Sequence, residues 1–240
     1  MDPLDRSSAF PASAFPASAA AAERVTSFLR AVYGWMCVGL GITAFVAYTI
    51  AASPALIGAL VSNHFLFLGL FLAQLGVVFF LSARVDRLAP GTATGLFVLY
   101  SGLTGVTLSV ILLAYTGASI ATTFVVTAGM FGALALYGTT TSRSLAGMGQ
   151  FVFMGLIGLV LASVVGMFWK NAALEFLISV VGVIVFTGLT AWDAQRLRQM
   201  ATSIPEDKLR SYAVLGALSL YLNFINLFLF LLRFMGGRRD

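Results

Sequence analysis

From Arg30 onward the chain is a succession of apolar runs, each about as long as a bilayer core is thick and separated by a few polar or turn-forming residues. A helix needs about 20 mostly apolar residues to cross that core. Seven such runs occur, at roughly 31–53, 57–82, 92–114, 119–141, 149–169, 173–193 and 211–234. The breaks carry turn chemistry or charge: Pro54, the ARVDRLAPG segment, YTGAS, TSRS, WKNA and the polar stretch 194–210. Only helices and closed barrels satisfy their backbone in lipid. Runs this long without alternation are helices and not barrel strands. Charged residues make up 10% of the chain, against about 25% in soluble domains. A water-soluble globule could not cover its surface with so few, and disorder needs the opposite composition. The expected fold is all-α and integral to the membrane, with seven transmembrane helices.

Residues 1–22, which include SAFPASAFPASAAAA, differ in character and predict a flexible Ala/Ser/Pro-rich tail ahead of a membrane domain at 23–240. Asp2 and Asp5 and the length of the first apolar run argue against a secretory signal. Cys37 and His64 are single representatives of their types. They exclude an internal disulfide and a four-ligand zinc site, and His64 has no nucleophile motif beside it. The chain is therefore expected to be neither an enzyme nor a cofactor carrier. The net charge of +5 does not indicate nucleic acid, because the basic residues are scattered through short loops. They read better as a topology signal. With the N-terminus cytoplasmic, ten Lys/Arg fall inside and four outside, as the positive-inside rule requires. The basic C-terminus dissents, and leaves open whether the last run crosses or re-enters.

Polar residues inside the runs are the candidates for function. In the last run, Tyr212, Gly216, Ser219, Asn223, Asn226 and Arg233 share one helical face. A polar stripe on an apolar helix turns away from lipid, so this helix is expected to pack among the others. Interhelical hydrogen bonding alone would explain its asparagines. In the sixth run, Ser179, Gly182, Thr190 and Asp193 share a face. Asp193 is expected at the helix C-terminus, where the macrodipole opposes a carboxylate and Arg196, one turn on, favours it. A solvated interfacial charge paired with Arg196 is the plainer alternative. Gln74 lies within the second run and Arg84 at its end, while Glu175 opens the sixth. On the fourth run, Ala128/Gly132 and Gly129/Ala133 form small-xxx-small pairs suited to close helix approach.

The segments TAGMFGALALYGTTTSRSLAGMGQFVFMGLIGLVLASVVGMF, VGVIVFTGLTAWDAQRLRQM, ALSLYLNFINLFLFLLRFMG and YGWMCVGLGITAFVAY resemble the Bax inhibitor-1 (lifeguard) family, in its bacterial branch, over about residues 24–236. The resemblance implies six helices around a central seventh, a bacterial inner-membrane location and a pH-controlled Ca²⁺ leak. It further implies a pair of proton-sensing aspartates and an arginine that pairs with one of them. Asp193 matches the first aspartate and is also the implied contact for the metal ion. Asn223 stands in YLNFIN where the family pattern has the second, and Arg84 is the nearest match to the arginine. Two close carboxyls titrate as a coupled pair, whereas Asn223 does not ionise. Partners implied are the bilayer, Ca²⁺ and, in a competing reading, a membrane-bound quality-control protease that the chain would regulate, with the tail as contact element.

Overall fold

A computed structural model describes residues 14–169 and 171–237. It is all-helical, with no strand among the described residues. The helices are α1 (Ala14–Ala51), α2 (Pro54–Ser62), α3 (His64–Arg84), α4 (Pro90–Ala114), α5 (Gly117–Thr140), α6 (Ala146–Phe168), α7 (Ala172–Met200) and α8 (Leu209–Met235). Short 3-10 turns precede α4 and α8. Seven of these are long and apolar enough to span a bilayer, α2 being the exception. Helix α1 already runs through residues 14–22 of the expected tail, and residues 1–13 lie outside the described part.

Two boundaries differ from the sequence reading, and a third point it left open. The second run is two helices: Asn63 adopts extended backbone, and its side chain accepts the amide of Leu66 to start α3. The sixth run does not end at Asp193. Helix α7 continues to Met200, because DAQRLRQM has no breaker and the chain turns only at Ala201–Pro205. Asp193 thus lies about two turns inside α7, beyond reach of the end charge that fades within the last turn. The last run is one unbroken helix, α8, long and apolar enough to span, that runs from one end of the bundle to the other. At one end Ser211 Oγ donates to the carbonyl of Leu88 (3.1 Å). At the other, the amide of Thr116 donates to the carbonyl of Gly237 (3.2 Å) and the amide of Gly237 to Ser119 Oγ (2.9 Å).

Helix α8 is the axis of the bundle. Leu220, Tyr221, Leu227 and Leu232 are fully buried along it. It packs directly on α1, α4, α5 and α7, while α3 and α6 face it across clefts. Thr43 of α1 donates to the carbonyl of Ser101 (2.9 Å) and takes the Tyr221 hydroxyl (2.6 Å), joining α1, α4 and α8. Phe97 and Tyr100 meet the Tyr221 ring edge-on at 5.8 and 5.9 Å.

Glycine sets the closest helix approach, though not at the expected pairs. Ala128, Gly129, Gly132 and Ala133 are exposed, and a Cβ on either glycine would meet nothing. The buried face of α5 is Thr123, Thr127, Phe131, Ala135 and Gly138. A Cβ at Gly138 would collide with the backbone carbonyl of Ala191, and one at Gly149 with the Trp192 ring. These two positions bring α5 and α6 against α7 beside Asp193.

Candidate functional site

The end of the bundle that holds Asp193 is here termed inner. Its loops are fastened to one another by side chains. Gln195 accepts the amide of Leu145 and donates to the carbonyl of Arg143, both at 2.8 Å. Arg198 donates to the carbonyl of Thr139 (2.7 Å). Arg24 of α1 donates to the carbonyls of Ala201 and Ile204, just past the end of α7. The Tyr212 hydroxyl donates to Asp86. Sequence reasoning missed Gln195 and Arg24, because their partners are backbone carbonyls and amides that leave no mark in residue types.

Within this frame Asp193 is 8% exposed. Its Oδ2 accepts two hydrogen bonds from α8, from Ser219 Oγ at 2.7 Å and Asn223 Nδ2 at 2.8 Å. Oδ1 accepts none among the described residues, and the side chain lines an inner cleft of about 320 Å³ between α3, α7 and α8. The stripe of α8 therefore meets the acid of α7 at Ser219 and Asn223. Such charge-assisted bonds are the stronger kind.

The other candidates lie elsewhere. Arg84 makes no ion pair with Asp193. Its guanidinium sits 6.0 Å from the Phe80 ring centroid, and the residue is exposed. Val78 and Ser82 are the α3 residues that line the cleft. Arg84, two positions on, points about 200° around the helix. The cation that shares the cleft is Arg196, itself 5.7 Å from the Trp192 ring centroid. Gln74 turns to α4, donating to the carbonyl of Leu103 (3.0 Å) and to Thr107 Oγ1 (3.2 Å). Asn226 donates to the carbonyl of Leu222 on its own helix (2.8 Å) and, with Arg233, lines a second cleft at the outer end. No group of three or more His, Cys, Asp or Glu side chains comes together among the described residues. Asp193 would thus offer a metal ion one carboxylate flanked by a hydroxyl and an amide, a thin set for Ca²⁺, which takes six to eight oxygens.

The family model described as inhibitor of apoptosis-promoting Bax1 matches residues 25–240. The chain belongs to the Bax inhibitor-1 family. Among relatives, it is 54% identical over 216 residues to the inner membrane protein YbhL of Escherichia coli K12, covering 89% of this chain and 92% of that protein. An uncharacterized protein of Borreliella burgdorferi is 45% identical over 215 residues (89% and 93%). An uncharacterized membrane protein of Streptococcus pyogenes serotype M1 is 34% identical over 218 residues (90% and 94%). This Bax inhibitor-1 protein is thus matched along nearly all of its membrane domain and is an integral membrane protein with seven apolar spans.

Proposed function

We propose that the protein is a Ca²⁺ leak of the bacterial inner membrane, with Asp193 as the titratable group that admits or refuses the ion. The observation that carries this reading is the carboxylate itself. It is buried among helices, anchored through one oxygen to the central helix, and belongs to a residue that lines a cleft. Intramembrane carboxylates are costly and mark ion or proton paths. The sparse oxygen set suits an ion that passes and does not stay. Ser219 and Asn223 hold the acid against α8. A change in its charge alters those two bonds, and with them the contact of α7 and α8. Because Asn223 does not ionise, one group titrates where a second carboxylate would have coupled to it.

Purified protein in liposomes should pass Ca²⁺ above empty vesicles, with a rate that changes between acidic and neutral pH. Equal flux with and without protein across that range would remove the reading. Nothing in it calls for catalysis or a bound cofactor. The orientation that goes with it puts the N-terminus and Asp193 at the cytoplasmic face. A phosphatase active only when exported should then work fused after Gly237 and fail when fused ahead of α1; the reverse pattern would invert the topology. Regulation of a membrane protease is separable from the leak by deleting residues 1–22, which should spare flux.

A further inference from the structure

A second cleft, about 440 Å³, opens at the outer end of the bundle between α6, α7 and α8. Ser163, Glu175, Asn226, Phe230 and Arg233 line it. It lies on the same face of α8 as the inner cleft, which Ser219 and Leu222 line. From Leu222, at the top of the inner cleft, to Asn226, at the bottom of the outer one, is a single turn of α8, about 6 Å. On α7, Glu175 and Asp193 are eighteen residues apart, five whole turns at 3.6 residues each, so both carboxylates face the same way.

Between the clefts the bulky groups are aromatic, beside the smaller polar Thr187, Thr190 and Asn223. Phe230 stacks on Phe186, with ring centroids at 5.7 Å and planes at 25°. The guanidinium of Arg233 sits 6.0 Å from the Phe230 centroid. Behind the ring is Gly182, where a Cβ would stand 2.6 Å from its atoms. Phe230 is therefore held on three sides: by a stacked ring, by a cation and by a glycine that makes room for it. The arrangement repeats that of the inner cleft, where Arg196 sits over Trp192. In neither cleft does the arginine ion-pair with the carboxylate within 4.0 Å among the described residues. Each acid thus keeps its pull on a cation while a neighbouring arginine rests on an aromatic face.

We infer that the two clefts are the halves of one path, closed by a septum of Leu222, Phe186 and Phe230, with Glu175 as the outer counterpart of Asp193. This inference deepens the leak reading and rests on it for the nature of the ion. A constriction of such bulky side chains needs no charge to hold an ion back. An apolar constriction gates by staying dry, and an ion crossing it would shed its hydration without replacement.

The test has two arms. In a Cys37→Ala background, Ser82→Cys and Ser163→Cys place one thiol in each cleft. A membrane-impermeant, charged methanethiosulfonate should label Ser82→Cys from one face of the vesicle only and Ser163→Cys from the opposite face only. Labelling of both from the same face, or of neither, overturns the proposal whatever the flux. In the second arm, Leu222→Ala and Phe230→Ala should each raise Ca²⁺ flux severalfold, and together more than either alone. A double variant that labels as above but is no more permeable than the parent overturns the septum. A silent parent with a conducting double variant would overturn the leak reading while keeping the septum.

Discussion

Asp193→Asn is expected to lower Ca²⁺ flux at neutral pH by about tenfold and to flatten its pH dependence. Asparagine has the same shape and can still accept from Ser219 and Asn223, so the contact between α7 and α8 survives. Only the charge is lost. A unit charge about 4 Å from a passing cation is worth about 4 kcal/mol at an effective dielectric constant of about 20. Even a third of that is about tenfold in rate. The other ionisable side chains lining the inner cleft are Arg196 and Tyr212, whose hydroxyl is engaged with Asp86. Neither changes charge between acidic and neutral pH, so an unchanged pH profile in Asp193→Asn would remove the inner cleft as the place where pH is sensed. The converse variant, Asn223→Asp, places a second carboxyl within hydrogen-bonding distance of the first. Its pH profile should split into two steps, as a coupled pair requires. A single step would show that the two positions do not communicate.

Gly138→Val is expected to cost about 3 kcal/mol of stability or more. The first added carbon meets the backbone carbonyl of Ala191 and the Cβ of Ala194, not the tip of a side chain that could swing away. The collision lies a few residues from Asp193 on α7, so the variant should unfold at lower temperature in detergent and lose flux together. Gly129→Ala and Gly132→Ala, where the space is open, should stay within about 0.5 kcal/mol of the parent. If all three behaved alike in thermal denaturation, the close approach of α5 and α7 would not be what holds them.

The contrast between those glycines also marks what a sequence can and cannot disclose. Apolar length was legible at once, because lipid imposes it on every span. The inward face of α8 was legible too, since Ser219, Asn223 and Asn226 recur at helical spacing. The packing face of α5 was hidden by a stronger decoy. Two small-xxx-small pairs outbid a line of Thr123, Thr127, Phe131, Ala135 and Gly138 that carries the same period in less conspicuous residues. The length of α7 was misjudged because DAQRLRQM is polar, and polarity marks the edge of the lipid and not the end of a helix. The pairing of Asp193 failed for a different reason. Arg84 and Arg196 are equally good cations on paper, and two residues of helical rotation decide which one reaches the cleft.

The two donors from α8 converge on one oxygen of Asp193. The carboxylate is therefore lopsided, with unequal C–O bonds that an infrared spectrum would register as a widened splitting of its stretching bands. Its crowded oxygen has little room for a hydrogen atom, and its other one accepts no hydrogen bond among the described residues. A proton taken up by the free oxygen would reach the seam with the central helix only through the bond order of a single carbon.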